Sequence, residues 1–194
     1  MQGMELPERF LLFVGPTLPH KNLETLLEGF AKALEQPETG DLFLVLAGRA
    51  TRFEGLWQRP AEDLGVSGRV HRIGYVSREA LRELYARALA LVHLARHEGF
   101  GFPPLEAMRH GLPVIAAFHA SLPEVVGAAA ILVDPADADG LARAIVRVIH
   151  DQPLRRRLQE CGRVNLERFG WQETARRTLR LYERILEGRC SRPA

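Results

Sequence analysis

Six short β-branched or Leu-rich runs, Phe10–Val14, Phe43–Leu46, Val70–Ile73, Ala90–Leu94, Pro113–Ala116 and Ala130–Val133, recur along the chain, and longer stretches with helical periodicity separate them. This ordering restricts the fold more than any other feature. A strand with one wet face alternates apolar and polar residues, whereas these runs are largely continuous, as strands covered on both faces are. Strands and helices that alternate with a repeat of about 25 to 35 residues build βαβ units around a parallel sheet.

The helical stretches read as Leu23–Gln36, Phe53–Leu64, Arg78–Ala88, Leu105–Arg109, a turn at Pro123–Val126, and Asp139–His150, with Asn22, Ser77 and Asp137 as candidate N-caps. After the last strand the chain is wholly helical, with Leu154–Phe169 and Gln172–Leu186. The expected class is α/β, a Rossmann-like doubly wound parallel sheet of about six strands with C-terminal helices. One domain spans residues 1–194, and residues 172–187 form an amphipathic helix whose apolar stripe is Ala175, Leu179, Tyr182, Ile185 and Leu186.

With 194 residues and 46% hydrophobic composition the chain can hold a full core without staples. Cys161 and Cys190 are the only cysteines, which excludes a disulfide framework and a structural zinc site. No apolar run approaches the roughly 18 to 20 residues of a membrane span, and the segment Met1–Phe10 lacks a signal-peptide pattern. A cytoplasmic location is expected. Charge is uneven: residues 141–194 hold 13 basic and 6 acidic side chains. These arginines are spaced among Leu and Ile, which suits solvated helix faces rather than nucleic-acid binding, although contact with the inner face of a membrane stays open.

Ligands of open parallel sheets bind where helices begin after strands, since helix N-termini offer free N–H groups to anions. Two loops there carry chemistry. In Gly15-Pro16-Thr17-Leu18-Pro19-His20-Lys21-Asn22, Gly15 permits close backbone approach and Lys21 places a positive charge beside a helix start. It is neither a Walker loop nor a GxGxxG loop. The second loop, Glu98-Gly99-Phe100-Gly101-Phe102-Pro103-Pro104-Leu105-Glu106, gives the stronger signal. Its glycines let successive amides face a ligand, and its prolines suit a helix start that places Glu106 in the first turn. Glu98 and Glu106 bracket these amides. Carboxylates accept hydrogen bonds from sugar hydroxyls and can hold a vicinal diol, so the pair suits sugar recognition.

Three other features are set aside. Asp137-Ala138-Asp139 spells a metal-binding DxD, yet N-capping explains it sufficiently. His93 lies inside a strand as a satisfied core residue, and His97 is incidental to its neighbour Glu98. Glycoside hydrolysis needs two carboxylates facing across a bond, whereas these flank an anion nest.

The Glu98–Glu106 segment resembles the E-x7-E signature of the family 4 retaining glycosyltransferases, which have the GT-B architecture of two facing Rossmann-like domains. Lys21-Asn22-Leu23-Glu24, Leu46-Ala47-Gly48, Gly74-Tyr75-Val76-Ser77, Gly111-Leu112-Pro113-Val114 and Leu122-Pro123-Glu124-Val125-Val126 are similar, in order, to motifs of the C-terminal half of that family. The resemblance implies that Lys21 neutralises a donor diphosphate, with Gly15, Thr17 and His20 beside it. By the same resemblance, the amides of Gly99, Phe100, Gly101 and Phe102, with Leu105 behind them, hold sugar and phosphate. Glu98 binds a sugar hydroxyl near the reacting carbon, Glu106 the ribose diol, and Gly74, Tyr75 and Val76 lie along the base. Family members use no essential metal. In this chain Pro16, Thr17 and His20 stand where many relatives carry an Arg, and Leu94 and Ala95 where they carry Pro-Ser.

The implied function is to hold the nucleotide-sugar donor in transferring a hexose to a sugar, lipid or other acceptor. The acceptor site would come from an N-terminal domain that this chain lacks, so alone the chain is expected to be inactive, and the apolar stripe of its last helix, left exposed, would suit a homodimer. A stand-alone nucleotide-sugar binder, or an epimerase or phosphorylase of the same architecture, remains the alternative.

Overall fold

A computed structural model describes residues 6–187 of the chain, so Cys190 lies outside the described residues. Six strands, β1 (Phe10–Val14), β2 (Phe43–Ala47), β3 (Val70–Gly74), β4 (Ala90–His93), β5 (Val114–Ala117) and β6 (Ala130–Val133), form one sheet. All five pairings are parallel and the order is β3-β2-β1-β4-β5-β6. The chain winds outward from β1 to β3, returns to the other side of β1 at β4, and then winds outward again to β6. The switch point lies between β1 and β4, where the loops that follow the two strands open side by side.

The continuous apolar runs are explained by a core on each face. Leu11 and Phe13 of β1 join Leu44 and Leu46 of β2 in one cluster, with α1 (Leu23–Leu34) and α6 (Ala138–His150) packed on it. Phe10 and Leu12 join Val45 and Ala47 in the other, beneath α3 (Arg78–Arg87) and α4 (Phe102–Arg109). The central strands β1, β2, β4 and β5 are the buried ones. The edge strands β3 and β6 are half-exposed, and accordingly β3 tolerates His71 and Arg72.

Helices α2 (Gly55–Asp63) and α5 (Leu122–Val126) complete the crossovers. Gly29 of α1 faces Leu141 of α6, where an added Cβ would come within 2.5 Å of the leucine. After α6 the chain continues into α7 (Gln152–Leu166), which packs across α4, and α8 (Trp171–Leu186), which has no buried residue. No helix is long and apolar enough to cross a membrane among the described residues.

At two helix starts the structure differs from the sequence expectation for a physical reason. Helix α4 begins at Phe102, not Leu105, because Gly101 takes a left-handed conformation (φ 102°) that turns the chain into the helix and places Pro103 and Pro104 in its first turn. Glu106 therefore lies in the second turn. Asn22 does precede α1, but its own left-handed backbone (φ 57°) leaves the side chain without a cap bond; Asn22 Nδ2 instead donates to the Pro135 carbonyl at 2.7 Å, and its Oδ1 accepts from Thr25 at 3.0 Å. Ser77 and Asp137 cap as expected, accepting from the amides of Ala80 and Gly140.

Candidate functional site

The loop after β1 is braced against the loop after β2. Gly15 N–H donates to the Ala47 carbonyl at 2.8 Å, and a Cβ on Gly48 would fall 2.0 Å from the Gly15 carbonyl oxygen, so only glycine fits at 48. Thr17 is buried, and its carbonyl accepts the Thr51 hydroxyl. His20 and Lys21 belong to one 3-10 turn, Pro19–Lys21, and the His20 carbonyl accepts from the Arg96 amide at 2.8 Å, which ties this loop to the one after β4.

That tie brings Lys21 and Glu98 together across the switch point. Lys21 is 8% exposed, and its Nζ donates to Glu98 Oε2 at 2.7 Å. His93, the last residue of β4 and fully buried, places Nε2 2.9 Å from the same oxygen. A carboxylate oxygen only accepts, so the imidazole nitrogen facing it carries the proton. His93 Nδ1 is then a bare, buried lone pair with no partner among the described residues. The hydrogen bond from His93 holds the Glu98 carboxyl down at about 2 against the opposing effect of burial, and Lys21 adds to that hold. Burial pushes His93 below the ordinary histidine range, more than Glu98 pulls it up. The resting site is therefore a Lys21 cation, a Glu98 anion and a neutral imidazole. His93 is not the satisfied core residue that its place in a strand suggests. The only hint in the sequence is its position at the end of the run, five residues before Glu98.

Between the two glutamates, the amides of Gly99, Phe100, Gly101 and Phe102 meet no acceptor among the described residues. Gly101 cannot be replaced freely, since its φ of 102° lies where side-chain-bearing residues are strained, and an added Cβ would also push on the end of the Leu122 side chain at 2.9 Å. Ser121, at the start of α5, donates its hydroxyl to the Glu98 carbonyl at 2.8 Å and the Phe100 carbonyl at 3.3 Å, which fixes the loop from the β5 side. Phe100 and Phe102 are exposed with ring centroids 5.0 Å apart.

Glu106 is exposed on α4, and its Oε2 accepts the Tyr85 hydroxyl of α3 at 2.9 Å. Tyr85 is buried and stacked on His110; burial, then the Glu106 charge, pushes its ionisation upward. Each glutamate is thus anchored through Oε2, while Oε1 has no partner among the described residues. Leu105 packs into the core beneath α4. Tyr75, 72% exposed after β3, lies under the Arg49 guanidinium, 5.2 Å from the ring centroid, with Gly74 (φ 71°) and Val76 on either side. Gly74 also accepts the Gly48 amide at 2.8 Å, so the loops after β1, β2 and β3 are linked in series.

A second ion pair supports this rim and was not legible in the sequence. Arg72 Nε and Nη2 donate to Glu54 at 3.0 and 3.3 Å, Arg72 Nη1 donates to the Gly48 carbonyl at 2.8 Å, and Trp57 Nε1 donates to Glu54 at 2.9 Å. Burial opposes ionisation of Glu54, yet Arg72, Thr17, Trp57 and the Thr51 amide together hold it at about 2. The DxD residues are engaged elsewhere: Asp137 caps α6, and Asp139 pairs with Lys32 at 2.6 Å. His97 is exposed and edge-on to His119, with centroids 5.9 Å apart.

Residues 2–164 match the family model described as glycosyl transferases group 1. The chain is 35% identical over 176 residues to the O-antigen chain mannosyltransferase B of Escherichia coli, an alignment covering 90% of this chain and 45% of that protein. Its fold is similar to sucrose-phosphate synthase from Thermosynechococcus elongatus, with TM-score 0.77 and 28% identity over 93% of this chain and 46% of that one. It is also similar to Anabaena HepE crystallised with UDP and glucose, with TM-score 0.79 and 22% identity over 91% of this chain and 48% of that one. The chain spans less than half the length of each of these three.

Proposed function

The chain belongs to the glycosyl transferases group 1 family, and we propose that it supplies the donor-binding half of a family 4 retaining glycosyltransferase of GT-B architecture, with Glu98 and Glu106 as its E-x7-E pair. One observation carries this reading: beside a buried lysine, two carboxylates, each anchored by one oxygen, flank four amides, and neither these amides nor the second carboxylate oxygens have a partner among the described residues. Amides and a lysine suit a diphosphate, and free carboxylate oxygens suit sugar hydroxyls. The mannosyltransferase likeness and the UDP-bound relative support the same ligand class.

Lys21 and the start of α4 offset the charge that develops on the departing diphosphate, which is the work a metal would otherwise do. Glu98 Oε1 accepts a donor-sugar hydroxyl next to the reacting carbon. Glu106 Oε1 takes the ribose diol, and the exposed face of Tyr75 takes the base. Gly15, Thr17 and His20 shape the diphosphate loop, and Leu105 sets α4 on the core. The acceptor would sit against a second Rossmann-like domain facing these loops, and the bare face of α8 is a surface for that domain or for a second copy of the chain.

Calorimetry with UDP-, GDP- and ADP-sugars tests the reading. One of them is expected to bind saturably, and Glu106→Ala should weaken it about tenfold, the worth of a lost charge-assisted hydrogen bond. Asp137→Ala should cost about 0.5–2 kcal/mol of stability as a lost helix cap and leave binding within about twofold. Equal losses in the two variants overturn the site assignment, and no binding by any of the three donors overturns the function.

A further inference from the structure

Lys21 and His93 grip the same oxygen of Glu98, at 2.7 and 2.9 Å, and the two grips are not equivalent. Lys21 carries a mobile ammonium with three donors, so an arriving diphosphate competes with Glu98 for it. His93 has no such freedom: it ends the buried strand β4, is inaccessible, and has one proton to give toward the carboxylate. Turning the ring over would put Cε1–H where Nε2 now meets the carboxylate, and moving the proton to Nδ1 would face a lone pair at the carboxylate and bury a donor with no acceptor among the described residues.

We propose that His93 is the positioning residue that keeps Glu98 in register for the sugar once a diphosphate has drawn Lys21 away. This rests on the donor-binding reading above. With Lys21 turned to phosphate, the His93 Nε2–H bond alone fixes Glu98 Oε2, and Oε1 stays aimed at the hydroxyl it is to accept. The pair then divides the ligand between them: Lys21 answers to the diphosphate, and His93 acts through Glu98 on the hexose only. Removing His93 should therefore erase the affinity that the sugar adds and spare the affinity of the bare nucleotide.

Two measurements test this. Imidazole 15N spectra of the unsubstituted chain and of Lys21→Met are expected to show His93 as the Nε2–H tautomer with a slowly exchanging proton in both. An Nδ1–H tautomer, or loss of the protected proton in Lys21→Met, overturns the proposal. Calorimetry then compares the tightest of UDP-glucose, GDP-mannose and ADP-glucose with its bare diphosphate. His93→Met should weaken the sugar nucleotide about tenfold and the diphosphate less than about twofold, while His93→Gln, whose amide reaches to the same place, restores most of the loss. Parallel weakening of both ligands, or of neither, overturns the proposal while the donor-binding reading stands. Failure of the unsubstituted chain to bind any of these donors overturns that reading, with the spectra still deciding what holds Glu98.

Discussion

The carboxylate at 98 and the imidazole at 93 tie the site to acidity. Glu98 is held at about 2, below its ordinary 4.5, so the stability it contributes is complete above pH 4.5 and drains away as the pH falls toward 2. His93 is held below its ordinary 6.5, so under pH 6.5 the unfolded chain takes a proton that the folded one refuses, and stability is again lost on acidification. The denaturant midpoint should fall from pH 6.5 downward. Glu98→Gln should flatten the part of that fall between pH 4.5 and 2, with Glu54 still contributing over the same interval. An unchanged slope in Glu98→Gln would show that the carboxylate is not gripped as the structure has it. At this scale the sequence was half legible. Lys21 and Glu98 stood out because a lysine and a glutamate at helix starts are chemically conspicuous. Their contact with each other and with His93 depends on which strands are neighbours and on which way a strand's last side chain points, and no local pattern carries either fact.

Among the elements, the loops at the strand ends are locked by backbone rather than by side chains. Gly48 adopts φ 151° with its α-carbon against the Gly15 carbonyl, and its amide donates to Gly74, so the turns after β1, β2 and β3 stand or fall together. Gly48→Ala should destabilise the fold by about 3 kcal/mol or more, since backbone must separate from backbone to admit the methyl group. Gly68→Ala, at a position with open space and no positive φ, should stay within about 0.5 kcal/mol. Chemical denaturation of the two variants checks the contrast, and similar costs would mean that the loops yield more than this packing allows. All six strands were readable because continuous apolar runs have few other uses. The start of α4 was not. A left-handed glycine before Phe-Pro-Pro moves the helix three residues upstream, and a run of aromatic and proline residues reads as loop until the turn that launches it is known.

Across the whole molecule, two C-terminal helices of similar length do different work. Helix α7 is part of the core: Leu158, Gly162 and Asn165 are buried, Gly162 lies against Met108 of α4, and Asn165 Nδ2 donates to the Val125 carbonyl at 2.9 Å. Just beyond it, Arg168 bridges Asn165 and the Glu124 carbonyl, and the Phe169 ring meets Phe100 edge-on at 5.7 Å. Helix α8 touches none of this with a buried side chain, and Trp171, Leu179, Tyr182, Ile185 and Leu186 remain exposed along it. The amphipathic stripe was visible in the sequence, but a stripe does not say whether its partner belongs to the same domain. Since the doubly wound unit is closed without α8, a chain ended after Gly170 should melt within about 4 °C of the intact one, the shift expected for a surface change in a domain this large. Ending it after His150 should abolish cooperative melting, because α4 and α5 then lose the layer that covers Met108 and Val125. Thermal unfolding followed by circular dichroism separates these cases. A large drop in the first truncation would place α8 within the core and remove the free face on which a second domain or second copy was proposed to rest.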